Sequence, residues 1–176
     1  MADWVRLQLD VDEFDEGEFE PYLRRARESG IEFTTFAELG DTADHRRALY
    51  ELNKTCSADI PQRGAFHTYD EYVAKRIEVP SFHPSAVVLA VRDGEWIGMS
   101  ATSLNPTEGY AFNEMTGVLA PYRSQGLSLA LKLLGIRFVR SSGYRRVITL
   151  HHPLNASAIA MNRRLGFVDQ VSEAPE

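Results

Sequence analysis

Apolar and polar positions repeat with two different periods along this chain, and each period predicts one kind of secondary structure. Alternating or continuous apolar runs predict strands at 5–9, 31–36, 86–91, 96–103, 110–119 and 146–150, with a last strand from Phe167. Apolar residues spaced three and four apart predict helices at 18–29, 41–55, 72–77, 126–141 and 155–165. Strands and helices therefore both contribute to the predicted structure.

Short polar signals predict where several of these elements begin and end. Asp41 is expected to cap the second helix, and Thr68–Glu71 forms a capping box before the third. Asp93-Gly94 predicts a tight hairpin between two strands. Gly30 and Gly166 are placed to close helices in the left-handed conformation.

The stretch 116–130 carries the most informative pattern. An apolar strand stops at Pro121, and a short polar turn containing Arg123 and Gly126 leads into a helix. The first turn of a helix offers free backbone N–H groups and a positive dipole end, which suit a phosphate or pyrophosphate. A surface turn with one arginine is the alternative interpretation. The pattern matches neither of the two common nucleotide-binding glycine loops.

Two motifs in order resemble the GNAT superfamily of acyl-CoA-dependent N-acyltransferases. The family's loop motif [QR]-x-x-G-x-[GA] appears as Arg123, Gly126 and Ser128, with serine in the last small position. A second motif, N-x-x-A-x-x-x-[YN]-x-x-L-G-F, appears as Asn155, Ala158, Asn162, Leu165, Gly166 and Phe167. The resemblance covers about residues 86–168.

This resemblance implies an α/β (α+β) GNAT fold, in which a central mixed, mostly antiparallel twisted sheet is flanked by helices on both faces. The length of 176 residues suits a single domain spanning 1–176. Residues 41–176 would form its core. The strand–helix–strand of residues 1–40 would be an N-terminal extension, similar to the opening of one half of the tandem GNAT proteins.

The resemblance also implies acetyl-CoA as the cofactor and assigns residues to hold it. The backbone of Val118, Leu119 and Ala120 would receive the pantetheine arm and polarise the thioester carbonyl. The phosphates would be held by Arg123 and by the amides of Ser124, Gln125, Gly126, Leu127 and Ser128. Asn155, Ala158 and Asn162 of the second motif would contact the pantetheine arm.

Catalysis requires a base for the amine and an acid for the departing thiolate. We expect Glu114 to be the base, because it lies on the strand that leads to Val118 and shares its face by the period of two. A solvent-facing carboxylate is the alternative. Asn162 stands where many relatives carry a tyrosine acid. An amide cannot donate a catalytic proton, so Asn162 is expected to hydrogen-bond the sulfur or the pantetheine arm.

The acceptor is expected to be a primary amine of a small molecule, with an amine of a peptide or protein as the alternative. The resemblance places the 57–67 segment beside the acceptor, with Asp59 and Phe66 as lining residues and His151 as a further contact. An ordinary surface connector and a solvated loop histidine are the respective alternatives. The net charge of −6 disfavours a nucleic-acid partner and favours a cationic or neutral acceptor.

Other classes of protein fit the sequence poorly. The apolar runs fall short of the ~18 residues of a membrane span, and Met1–Trp4 does not start a secretory signal, so a cytoplasmic location is expected. The single cysteine, Cys56, excludes an internal disulfide and has no neighbouring histidine to activate it. His151 and His152 lack zinc-ligand spacing, and no metal is expected. A homodimer paired through a sheet edge is left open.

Two hypotheses about function follow from these observations. The first is an N-acetyltransferase in which the amine attacks acetyl-CoA directly in a ternary complex. The second is a non-catalytic GNAT module that binds acyl-CoA or CoA and acts through protein partners.

Overall fold

A computed structural model describes residues 3–170, which form seven strands and six α-helices. The strands are Val5–Asp10 (β1), Glu32–Thr35 (β2), Val87–Arg92 (β3), Glu95–Asn105 (β4), Tyr110–Val118 (β5), Arg146–His151 (β6) and Val168–Asp169 (β7). The helices are Glu16–Glu28 (α1), Phe36–Leu39 (α2), Ala43–Cys56 (α3), Tyr69–Tyr72 (α4), Leu127–Ser141 (α5) and Ala156–Leu165 (α6). A π-helical turn, Val73–Ile77, extends α4.

The strands form one sheet in the order β2-β3-β4-β5-β6-β1-β7. Neighbouring strands are antiparallel, except that β5 and β6 are parallel. The predicted mixed and mostly antiparallel sheet is therefore confirmed. The first strand of the chain lies between the last two, so the 1–40 segment is built into the sheet through β1.

Helices cover both faces of this sheet, as predicted. Leucines of α1 and α5 pack against β1, β5 and β6 on one face, with Leu165 at the end of α6 beside them. On the other face, Leu49, Leu52 and Cys56 of α3 pack with Tyr72 against β3 and β4. The strands that carry the predicted site are thus buried between two helical layers.

Most of the local signals act as the sequence predicts. Asp93 and Gly94 both have positive φ, 50° and 79°, which is the geometry of a tight hairpin turn. Thr68 and Glu71 form the complete capping box. Gly166 closes α6 with a φ of 105°. These signals depend only on residues close in sequence, so they survive tertiary packing.

The predicted cap at Asp41 is wrong by one residue. Thr42 is the N-cap of α3, and its hydroxyl accepts a hydrogen bond of 3.0 Å from the amide of His45. The Asp41 carboxylate instead binds Arg46 through two hydrogen bonds of 2.7 and 2.9 Å. This ion pair gives Asp41 a stronger partner than a backbone amide, and it lowers the pKa of Asp41.

Candidate active site

The site is organised around an opening between the two parallel strands. β5 and β6 pair at Ala111 with Val147 and at Phe112 with Ile148, but β5 continues to Val118 and β6 to His151. A β-bulge interrupts the pairing of β5 with β4 directly after this point, because Ala101 pairs with Met115 while Thr102 pairs with Asn113. Bulges bend a strand and increase its twist, so the bulge accounts for the separation.

Backbone groups at the end of β5 face into this opening. The amide of Leu119 donates 2.8 Å to the carbonyl of Ile97 on β4. Successive residues of a strand direct their backbone groups to opposite sides, so those of Val118 and Thr116 point away from β4 and toward β6. The N–H of Val118 is therefore directed toward the predicted slot for a pantetheine arm. The N–H of Leu119 is not, because it donates to the carbonyl of Ile97.

The turn after β5 presents a helix N-terminus at the mouth of the opening. A short 3-10 turn, Ala120–Tyr122, leads to Ser124 and Gly126, which have φ values of 64° and 76°. Gly126 is the N-cap of α5, and because glycine has no side chain it supplies no capping bond. The Leu127 side chain is in the core, so only its backbone is available to a ligand. Free amides at a helix N-terminus are the chemistry that the sequence predicts here.

Arg123 closes this turn and ties it to the 57–67 segment. Its Nε donates 3.1 Å to the carbonyl of Val118, and its NH1 lies 2.8 Å from the carboxylate of Asp59. Asp59 was predicted to line the acceptor pocket; the structure pairs it with Arg123, and its role in acceptor binding stays a prediction. Its carboxylate occupies the position at Arg123 that an anionic ligand would take.

Tyr22 of α1 lies beside the turn that carries Gly126, a contact that was not predicted from the sequence. Its ring lies against Gly126, where an added Cβ would collide with it. The guanidinium groups of Arg25 and Arg164 lie 4.8 and 5.1 Å from the centre of the ring, and Arg164 also donates to the Tyr22 hydroxyl. Within residues 3–170, neither arginine is paired with a carboxylate. Two cations thus stand beside the helix N-terminus.

Glu114 is the extra residue of the bulge, and this changes the face that it occupies. Val118 packs with the α5 residues Leu127 and Leu131, whereas Glu114 pairs with Arg76 at 3.3 Å on the α3–α4 face. The prediction that Glu114 shares the face of Val118 is therefore wrong, because the inserted residue shifts the alternation. The Glu114 side chain is 26 % exposed. Burial raises the pKa of its carboxyl group, and Arg76 opposes that rise.

Asn162 and His151 meet on the opposite side of the opening. The Asn162 side chain is buried, and its Nδ2 lies 2.7 Å from Nε2 of His151. Burial and the charge of Lys132 lower the pKa of His151 to about 4, so the ring is neutral at physiological pH and its Nε2 accepts the bond. His151 is the last residue of β6, not part of a solvated loop. The Oδ1 of Asn162 is buried without a hydrogen-bond partner.

Two further residues of the second motif, Asn155 and Ala158, belong to the same side of the opening as Asn162. Asn155 stands at the N-cap position of α6, as predicted, but its side chain makes no capping bond. The backbone N–H of Asn155 donates a hydrogen bond of 2.9 Å to the carbonyl oxygen of His152. Ala158 lies half-buried in the first turn of α6. Within residues 3–170 the Asn155 side chain makes no capping bond, and its contact with a ligand stays a prediction.

A buried polar cluster supports β5 from the α5 side, and sequence reasoning missed it. Lys132 is 2 % exposed, and its Nζ donates 3.1 Å to Oδ1 of Asn113. Asn113 donates in turn to Ser100 and Thr102 at 3.2 and 3.3 Å. A cavity of about 10 Å³, room for roughly one water molecule, adjoins these groups. Burial lowers the pKa of Lys132 to about 7. The sequence signal that could have revealed this cluster is Lys132 itself, a lysine among the apolar residues of a helix.

The remaining candidates lie apart from the opening. The ring of Phe66 packs 5.7 and 6.0 Å from those of Tyr50 and Tyr72, in the aromatic layer under the 57–67 segment. Cys56 is buried under Gly117, and burial raises the pKa of its thiol to about 11. This high pKa agrees with the prediction that Cys56 is not a nucleophile.

Two classes of site find no candidate in the part of the chain that the structure describes. From residue 3 to residue 170, no group of three or more His, Cys, Asp or Glu side chains is arranged to hold a metal ion. No helix in that same span has the length and apolar character to cross a membrane.

Comparisons with known proteins agree with this geometry. Mycothiol acetyltransferase of Streptomyces coelicolor is 30 % identical to this chain over 79 % of it, but the match covers 43 % of that relative. A GCN5-related N-acetyltransferase of Sphaerobacter thermophilus superposes with a TM-score of 0.63 at 21 % identity, over 96 % of this chain and 49 % of that one. A tandem GNAT protein of clavulanic acid biosynthesis gives the same TM-score and identity, over 96 % and 50 %.

The chain therefore spans about half the length of the proteins it matches. Its residues 46–167 match the Acetyltransferase (GNAT) family, a segment that contains both motifs and the strands that form the opening. With this family match over more than half of its length, the chain belongs to the acetyltransferase (GNAT) family.

Proposed function

We propose that this chain transfers an acetyl group from acetyl-CoA to a primary amine of a small molecule. The observation that carries the proposal is the opening between β5 and β6, which ends at the Arg123–Gly126 turn and the N-terminus of α5. A long flexible arm fits between separated strands, and its phosphates would meet free amides and a guanidinium. The names of the matched relatives support acetyl as the transferred group.

The residues fit acetyl-CoA at three points. The Val118 N–H, which points away from β4, would donate to a carbonyl of the pantetheine arm, whereas the Val118 carbonyl accepts from Arg123. The amides from Ser124 to Ser128 would hold the pyrophosphate, with Arg123 exchanging Asp59 for a phosphate oxygen. Acetyl-CoA supplies the thioester carbon that is attacked and the thiolate that leaves.

The chain's own groups would handle the protons of the transfer. The attacking amine forms the new C–N bond and must lose one proton, and Glu114 is positioned on the α3–α4 face to accept it, directly or through water. Its raised pKa makes it a stronger base than an exposed glutamate. The C–S bond breaks as the tetrahedral intermediate collapses. The thiolate needs little assistance, because a thiol of this kind has a pKa near 8.5.

A second candidate function is CoA binding without turnover. It is favoured by Asn162, which replaces the expected tyrosine and is buried against His151. In that case the chain would bind acyl-CoA and act through a protein partner.

Calorimetric titration and a thiol-release assay separate these two functions. Acetyl-CoA, CoA and 3′-dephospho-CoA are titrated into the protein, and thiol release is then followed with a panel of primary amines. Micromolar binding with amine-dependent release supports the acetyltransferase. Binding without release for every amine supports the binding module. No binding of any of the three compounds contradicts both.

A further inference from the structure

A groove lies at the opposite end of β5 from the cofactor turn. It runs between the segment Pro80–Ser81 and the β4–β5 hairpin, and its volume is about 570 Å³. This volume is within the range of small-molecule sites in proteins. Neither the predicted acceptor residues Asp59 and Phe66 nor the cofactor turn contribute to its lining.

Glu114 lies on β5 two residues beyond Phe112, which lines the inner end of this groove. Ser103 and Phe112, which pair across β4 and β5, both line the groove. The Ser103 side chain also lies close enough to the Glu114 carboxylate to lower its pKa by hydrogen bonding. A molecule in the groove can therefore bring an amino group to Glu114 while the rest of it lies over the hairpin.

The groove also lies where the reacting end of acetyl-CoA would arrive. From Val118 back to Glu114 is four residues of strand, about 13 Å. A pantetheine arm that starts at the Arg123–Gly126 turn and follows β5 through the opening would carry its thioester toward the bulge. The thioester, in the opening, and the amino group of an acceptor at Glu114 would then meet at the bulge.

The lining of the groove is uncharged and rich in hydrogen-bonding groups. Ser81, Thr107 and Tyr110 are among the lining residues, and none of their hydroxyl groups has a protein hydrogen-bond partner between residues 3 and 170. The rings of Tyr110 and Phe112 supply flat apolar surface. Hydroxyl groups of a ligand would find both donors and acceptors here, and the apolar face of its ring would pack on the aromatics.

Charges near the groove disfavour a polycationic ligand. No aspartate or glutamate is among the lining residues. The guanidinium of Arg146 lies 5.7 Å from the centre of the Tyr110 ring, and that of Arg76 pairs with Glu114. A second ammonium group would meet these cations, because the carboxylate of Glu108, between Thr107 and Tyr110 in the hairpin, is exposed and does not line the groove.

We propose that this groove binds the acceptor, and that the acceptor is a small hydroxylated amine, such as an amino sugar or an amino polyol, with one amino group and an otherwise uncharged body. This proposal rests on the proposed acetyl transfer for its chemistry. The proposed acceptor site is formed by residues of β4, β5 and the 80–81 segment. The amino group lies at Glu114, and the hydroxyl groups bond Ser81, Thr107 and Tyr110.

The test compares three amines by equilibrium binding and by turnover. Glucosamine, cyclohexylamine and spermidine are titrated calorimetrically into the protein saturated with CoA, and thiol release from acetyl-CoA is measured with each. We expect glucosamine to bind, and to react in terms of kcat/KM, at least ~10-fold better than cyclohexylamine, which has the same ring size without hydroxyls. Spermidine should be the weakest ligand.

Two groove variants and one control locate the site. Tyr110→Phe removes one hydroxyl and Ser81→Val removes another, and each should weaken glucosamine binding roughly fivefold while leaving cyclohexylamine and CoA binding unchanged. Ser141→Ala removes an exposed hydroxyl at the end of α5, far in sequence from the groove, and should change nothing. Thermal melts establish that all three variants are folded.

The binding and turnover measurements distinguish a failure of the groove proposal from a failure of the acetyl-transfer proposal. Glucosamine binding that both groove variants weaken, without turnover for any amine, supports the groove and contradicts acetyl transfer. Turnover that neither groove variant affects supports acetyl transfer and overturns the groove. Preference for spermidine or cyclohexylamine, or no measurable glucosamine binding, overturns the proposed acceptor class.

Discussion

Replacing Lys132 by methionine should stabilise the protein at neutral and acidic pH. Lys132 is 2 % exposed and its ammonium has one protein hydrogen bond, to Asn113, with Phe167 4.7 Å away. Burial lowers its pKa from 10.5 to about 7, which corresponds to roughly 5 kcal/mol against the charged form. Methionine has a similar length and no charge. It would lose about 1 kcal/mol for the hydrogen bond and up to ~2 kcal/mol for the cation–π contact, so the net gain is roughly 2 kcal/mol.

The pH dependence of this gain is a sharper test than its size. The folded protein releases the Lys132 proton near pH 7, whereas the unfolded chain keeps it until about pH 10.5. The unfolded state therefore binds more protons across that window, and stability rises with pH by up to ~1.4 kcal/mol per unit. In Lys132→Met this contribution is absent. The advantage of the variant should shrink steadily between pH 7 and 9.

Urea denaturation at half-unit steps from pH 6 to pH 9 measures both quantities. The difference between variant and wild type cancels titrating groups that do not interact with Lys132, such as Cys56 with its pKa raised to about 11, whereas His151, whose pKa Lys132 also lowers, contributes toward the acidic end of the range. Lys75→Met is the matched control, because Lys75 is 62 % exposed and its loss should give a small difference that does not change over this range. A Lys132→Met difference that stays constant from pH 6 to pH 9 would refute the reasoning.

Three further predictions concern the site. Gly126→Glu should abolish CoA binding in calorimetry, because the side chain collides with Tyr22 and adds a negative charge beside phosphate; unchanged affinity in a folded variant contradicts the loop assignment. Glu114→Gln should lower kcat by roughly 100-fold and remove the loss of rate on acidification, whose apparent pKa should exceed the 4.5 of an ordinary glutamate. Asp59→Ala should raise CoA affinity a few-fold at low salt by releasing Arg123, with stability changed by less than about 1 kcal/mol because the pair is exposed; weaker binding contradicts competition.

Features that depend on neighbouring residues in the sequence were predictable. The capping box at Thr68, the hairpin at Asp93 and the left-handed glycine at Gly166 each follow from the conformational preferences of a few adjacent residues. The cofactor turn belongs to this class, since its strand, glycine and helix are contiguous. The strand–turn–helix geometry of residues 118–128 could therefore be predicted from the sequence, whereas the binding of a cofactor there stays a prediction.

Features that depend on distant partners were not predictable. The bulge at Glu114 arises from the register of β4 against β5, and it moved that carboxylate to the other face of the sheet. The contact of Tyr22 with Gly126 needs α1 to cross over α5. The groove at the β4–β5 hairpin requires the 80–81 segment, which lies more than twenty residues earlier. Each of these is a property of assembled elements, which periodicity does not encode.

The place of β1 in the sheet has a consequence for how the chain folds during its synthesis. Leu9 pairs with Val147 and Gln8 with Val168, so this strand leaves the ribosome long before either partner. At typical rates of translation, the wait is on the order of ten seconds. During that time an apolar strand is exposed to chaperones and to other nascent chains. A fragment limited to residues 46–167 would lack it altogether, and the open edge of β6 would favour aggregation or strand exchange between copies.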